Sequence, residues 1–182
     1  KKFAVMDDAV GEKMQERILQ AKSELNSVGG VIEAIALHLP AGIGAPYFDS
    51  VESMLSHALF SVPAVKGVEF GDGFGFARLT GAEANDALHY VDGKVKALTN
   101  HNGGVTGGIT NGMPFVVRVA IKPTPSIARE QQTVSLKEQA DTTLAIVGRH
   151  DPCIVQRAVP VIEAVVAWTL WDLLLEAKKW EK

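Results

Sequence analysis

Three short stretches of this chain carry residue types that could do chemistry. In Arg149-His150-Asp151-Pro152-Cys153 a permanent cation, an imidazole, a carboxylate and a thiol follow one another directly. Aspartate favours the N-cap and proline the first helical position, so Asp151-Pro152 predicts the start of a helix. Arg149 and the positive end of that helix would suit an anionic ligand, with Asp151 beside it as an acid/base group. The plainer reading, in which Asp-Pro simply opens a helix, needs no ligand. Nothing near Cys153 marks an activated nucleophile, and it reads as a small buried side chain.

The second stretch, Gly103-Gly104-Val105-Thr106-Gly107-Gly108-Ile109-Thr110-Asn111-Gly112, matches neither the dinucleotide-binding nor the Walker spacing. Its backbone N–H groups could still approach a phosphate or a flavin edge closely, because glycine has no Cβ in the way. The same residues would equally make a pair of tight turns between strands. In the third stretch, Lys122-Pro123-Thr124-Pro125-Ser126, a lysine and two hydroxyls follow a predicted strand end, where they could meet a phosphate. Turn chemistry explains its prolines as well. His38, His57, His89, His101 and His150 have no paired metal-ligand spacing, so no metal held by protein ligands is predicted. Glu163, inside an apolar run, reads as a satisfied buried or interface carboxylate.

The elements that must position these stretches are helices and strands in mixed order. Asp7 and Asp8 precede Met14, Ile18, Ala21 and Leu25 at helical spacing, which predicts an amphipathic surface helix ending near Gly29-Gly30. A strand over 31–37 stops at Pro40, and 40–46 is a loop. Asp49 or Ser50 can cap a helix through Val51, Leu55 and Leu59 that Pro63 closes. Val65 to Phe70 predicts a strand, and 71–76 a flexible glycine-rich continuation. Periodicity weakens over 81–98, which reads as an insertion or loop. Strands follow over 114–121 and 133–136, then a long helix after Asp151 so broadly apolar that burial on most sides is expected. Without regular strand-helix alternation the class is α+β, helices packed against antiparallel sheet.

Composition narrows the function classes. The chain has 182 residues, 47% of them apolar, enough for one compact domain without disulfides or structural metal. Cys153 is the lone cysteine, which fits a reducing compartment, with the cytoplasm as default. A formal charge of −3 and the lack of a basic cluster argue against nucleic acid. The start of the chain is not a secretory signal, and its first residue is lysine rather than methionine, consistent with an excised piece. The most apolar segment, 161–175, contains Glu163 and Asp172 and lacks the roughly 20 apolar residues of a bilayer span, so a core helix rather than a membrane helix is expected.

Taken together, four segments resemble chorismate synthase in the order that family has them. Arg149 to Cys153, continued by Arg157-Ala158-Val159-Pro160 and Glu163, is similar to its C-terminal signature. Asn100 to Gly112 resembles its central glycine motif, and 29–46 and 61–69 also follow its pattern. The resemblance implies half of that family's β-α-β sandwich and the conversion of 5-enolpyruvylshikimate 3-phosphate to chorismate and phosphate. This is a trans-1,4 elimination by a lyase that needs reduced FMN (FMNH2) although no net oxidation occurs. Whether the protein itself, through NADP, or an external system reduces the flavin stays open.

By position, the resemblance implies FMN contacts from Pro63, Ala64, Gly107, Lys122, Pro123, Thr124, Pro125, Ser126 and Arg149. Asp151 matches the aspartate that assists proton transfer near flavin N5, and Arg149 is also placed at substrate. Many members have serine where this chain has Pro125, which removes one hydroxyl. The family's chains are about twice this length, and the motifs with its general-acid histidines and phosphate-binding arginines are absent here. The chain is therefore expected to be the C-terminal portion, binding FMN weakly or not at all alone and not turning over, of a protein that is a homotetramer. A non-catalytic folding or assembly module and a generic phosphate-binding domain are the competing expectations.

Overall fold

The computed structural model describes residues 3–179, so Lys1 and Lys2 of the N-terminal stretch lie outside the described residues. In chain order the elements are α1 (Asp8–Ser23), β1 (Gly30–Ala36), α2 (Val51–Phe60), β2 (Val65–Phe70), α3 (Gly81–Ala84), β3 (Leu88–Val91), β4 (Lys94–Ala97), β5 (Val105–Thr106), β6 (Ile109–Thr110), β7 (Phe115–Ile121), β8 (Gln131–Ser135), β9 (Ala140–Leu144) and α4 (Val155–Lys178). The class is α+β, as expected. The fold has two compact units, 1–30 with 121–159 and 31–120 with 160–182.

In the first unit α1 is capped by Asp7, whose carboxylate accepts from the backbone N–H groups of Ala9 and Val10. Its apolar stripe is poorly covered, since Gly11 and Ala21 are its buried residues while Met14 is 45% exposed. β8 and β9 form an antiparallel hairpin with Thr133 opposite Thr142. The predicted strand over 133–136 is thus a longer strand displaced toward the N-terminus, and its partner β9, all exposed, has no apolar alternation to announce it.

The second unit is built on a sheet of order β1-β7-β2. Along β7 the side chains of Phe115, Val117 and Val119 alternate into the core, the period of two that a half-buried strand requires. β2 runs antiparallel to β7, since Gly67 faces Ala120 while the Gly71 N–H donates to the Val116 carbonyl. α2 packs against β2 and buries Val51, Leu55 and Leu59, each leucine contributing about 1.5–3 kcal/mol of apolar transfer. Ser50, one of the two predicted caps, takes that role, accepting from the Ser53 N–H at 3.1 Å.

Several expectations are corrected. The stretch read as a loop over 81–98 contains α3 and the β3–β4 hairpin, whose turn residues Asp92 and Gly93 both have positive φ, the Asp-Gly signal of a tight hairpin. The glycine-rich 71–76 segment leads into a 3-10 helix, Gly73–Arg78, not an extended continuation. The last helix starts at Val155, so Asp151 and Pro152 precede it by a short bend and do not cap it. Nor is α4 buried on most sides: Ile162, Val166, Leu170 and Leu173 form one buried face, whereas Trp168 is 80% exposed. Glu163 is exposed and Cys153 half-buried, neither in a sealed core. By length and composition α4 could cross a membrane, and only 28% of its most apolar window is buried; a core helix of a soluble protein passes the same test.

Candidate functional site

Within the first unit, Arg149, His150 and Asp151 line a cleft of about 630 Å3 together with Lys22, Asn26 and Arg157. The segment that carries them is held from below by backbone chemistry. The Val28 N–H donates to the Pro152 carbonyl at 2.9 Å, and the His150 ring nitrogen Nε2 lies 2.8 Å from the Ile146 carbonyl. Asp151 Oδ1 accepts from the Cys153 N–H at 3.2 Å, a local turn, and its Oδ2 lies 2.6 Å from Arg157 Nη2. Its cation is therefore Arg157, in the first turn of α4. Arg149 is exposed and makes no ion pair among the described residues. Lys22, Arg149 and Arg157 give this cleft more positive than negative charge, a setting for an anion.

Lys122 to Ser126 leaves β7 in the same unit. The Thr124 carbonyl accepts from Ser27 Oγ at 2.6 Å, and the Pro125 carbonyl from Gln131 Nε2 at 3.3 Å, which fixes the backbone and leaves the Lys122 and Ser126 side chains exposed. Thr124 Oγ1 is buried with no hydrogen-bond partner. An orphaned hydroxyl of this kind carries a desolvation penalty and calls for a polar partner.

Within the second unit the glycine stretch is the hairpin β5–β6, with Val105 opposite Thr110. Gly107 and Gly108 form its turn at φ +61° and +85°. A Cβ on Gly107 would meet nothing within 4 Å, so its face is open to a ligand; one on Gly108 would lie 2.6 Å from Ser50 Cβ. The hairpin is pinned to the 40–46 loop and to α2. The Gly108 carbonyl accepts from the Val51 N–H at 3.0 Å, while the buried Thr110 hydroxyl donates to the Pro40 carbonyl and accepts from the Ile43 N–H. Pro63 and Ala64 sit between α2 and β2, and Ala64 has φ +74°, a conformation that costs an alanine about 1–2 kcal/mol.

Sequence reasoning missed the residues that hold this hairpin. Asp86 accepts from Thr99 Oγ1, the His101 N–H, the Asn102 N–H and Asn102 Nδ2, at 2.7 to 3.0 Å. Burial works against its charge, but these hydrogen bonds prevail and hold the carboxyl at about 2. His101 is fixed by Asp72, Nδ1 to Oδ2 at 2.6 Å, and the Asp72 N–H donates to the His101 carbonyl. Arg118 Nε lies 2.9 Å from Glu69 Oε1 as an ion pair without hydrogen-bond alignment, and its Nη2 donates to the Gly71 carbonyl. A second cavity, about 1000 Å3, opens between the β3–β4 and β5–β6 hairpins and is lined by Asp86, Lys96, Asn102, Thr106 and Asn111.

The sequence-predicted residues thus fall into two groups. Arg149, Asp151 and Lys122 to Ser126 belong to the first unit, and Pro63, Ala64 and Gly107 to the second. The family model described as Chorismate synthase matches residues 1–175. The chain belongs to the chorismate synthase family. It is 50% identical over 175 residues to a chorismate synthase of Thermococcus gammatolerans, covering 96% of this chain and 49% of that one. A second, from Korarchaeum cryptofilum, is 48% identical over 167 residues, covering 92% and 46%. A crystal structure of a chorismate synthase superposes with a TM-score of 0.73 at 34% identity, over 91% of this chain and 43% of the other. The chain spans about half the length of the curated chorismate synthases it matches.

Proposed function

We propose that this chain supplies the C-terminal half of a chorismate synthase active unit, a lyase that converts 5-enolpyruvylshikimate 3-phosphate to chorismate and phosphate with reduced FMN. The observation that carries the reading is the cationic cleft in which Arg149 and Asp151 meet, within the residues that match the family. Its charge suits a phosphorylated substrate.

Each unit has a feature that suits a flavin, the open face of Gly107 in the second and the unpartnered Thr124 hydroxyl in the first. Pro63, Ala64, Gly107, Lys122, Pro123, Thr124, Pro125, Ser126 and Arg149 would hold it. When bound, reduced FMN supplies an electron-rich ring that assists departure of phosphate without net oxidation. Everything else falls to the protein: Arg149 and Lys22 attract and orient the anion, and Asp151 holds a proton at its Oδ atoms. Arg157, 2.6 Å away, aims that carboxyl. We further infer homotetramer formation by the full-length protein and a cytoplasmic setting; the family membership supports both.

Titration of FMN, with and without 5-enolpyruvylshikimate 3-phosphate, into this chain and into a full-length relative tests the reading. Flavin uptake that substrate strengthens supports it. Phosphate release by the full-length protein that survives Asp151→Ala unchanged would sink the role of Asp151.

A further inference from the structure

At the base of the β5–β6 hairpin one carboxylate gathers four hydrogen bonds. Thr99, His101 and Asn102 lead directly into Gly103, and all three donate to Asp86. Between them, Asn100 turns the other way: its Nδ2 donates to the Pro114 carbonyl at 2.8 Å and its Oδ1 accepts from the Gly104 N–H at 2.9 Å. The entry to the hairpin is thus clamped from two sides. Asp72 also holds His101, but Asp86 alone takes donors from three residues of the entry, and charge-assisted hydrogen bonds are about twice as strong as neutral ones.

We propose that Asp86 is a positioning residue for the flavin-facing hairpin: its carboxylate, taking four donors from Thr99, His101 and Asn102, fixes where Gly107 presents its open face. This rests on the flavin reading for its consequence, not for its geometry. Both carboxylate oxygens are used, Oδ1 for Thr99 and His101 and Oδ2 for Asn102. An amide in the same place would turn an N–H2 toward one pair of donors and lose at least the backbone N–H bond of that pair, from His101 or Asn102. Gly103 and Gly104, at φ +63° and +84°, then keep only the neutral Asn100 side chain and backbone contacts to hold the entry. Asp86 also lines the cavity beneath the hairpin, so the loss is not made good by packing.

The test is amide hydrogen exchange on the 182-residue chain and on its Asp86→Asn variant, with equilibrium titration by FMN of the full-length protein carrying the same changes. Asp86→Asn should speed exchange over 99–112 by about tenfold or more, leave β7 and α2 protected, and weaken FMN binding about tenfold. Asn102→Ala, which removes one side-chain donor and keeps the charge, should give a smaller change in both readings. Leu55→Ala loosens the same unit from its core and should leave FMN affinity within about twofold. Unchanged exchange over 99–112 in Asp86→Asn overturns the anchor. Faster exchange with undiminished FMN affinity, or an equal loss in Leu55→Ala, overturns the positioning role. If the unmodified full-length protein takes up no FMN, the flavin reading fails, and the exchange comparison alone decides whether Asp86 holds the hairpin.

Discussion

Asp151 Oδ2 lies 2.6 Å from Arg157 Nη2, so the carboxylate of the signature is held by the first turn of the helix that follows it. Two neighbouring segments, not one helix cap, therefore set where Asp151 points. Because Arg157 is 73% exposed, the pair is worth under about 1 kcal/mol. Arg157→Ala should leave the unfolding midpoint nearly unchanged in a denaturant titration. In the full-length protein it should lower kcat, because Asp151 is no longer aimed.

Gly107 and Gly108 are adjacent and should respond differently. Gly108→Ala forces a Cβ to 2.6 Å from Ser50 Cβ at a left-handed φ, and should cost about 2–5 kcal/mol by chemical denaturation. Gly107→Ala meets open space and should cost about 1–2 kcal/mol. It should nonetheless weaken FMN binding, which a flavin titration reads directly.

Asp86 predicts a particular dependence on acid. Its folded carboxyl sits at about 2, below the ordinary 3.8, so the stability it contributes is fully present above pH 3.8 and is lost as pH falls toward 2. The stability difference between the unmodified chain and Asp86→Asn should be constant from pH 7 to about 5 and shrink below 4. Urea titrations at several pH values check this, and a difference that already fades near pH 5 would contradict it.

The Thr110 hydroxyl is buried and makes two hydrogen bonds to the 40–46 loop. Thr110→Val keeps the shape and strands the Ile43 N–H, and should cost about 1–3 kcal/mol by the same measurement.

The regular parts of the second unit were legible because their signals are local. Alternation along Phe115, Val117 and Val119 gives β7, and Ser50 ahead of Val51, Leu55 and Leu59 gives α2. The hairpin of β3 and β4 was announced by Asp92-Gly93 but masked by the polar residues around it. The network under the glycine hairpin could not be read, because Asp86 reaches residues 13 to 16 positions away. The placement of Asp151 was misjudged for a related reason. Asp-Pro scores as a helix start, whereas the Pro152 carbonyl accepts from the Val28 N–H, far up the chain, and Asp151 turns back on the Cys153 N–H.

The outward face of α4 has a practical consequence. Trp168 is 80% and Trp171 59% exposed, on the same helix and one turn apart. Indoles in water emit at longer wavelength and are quenched by iodide, so anything that settles on this helix should shift the emission to the blue and shield it. The chain carries its own optical label for whatever it meets along α4.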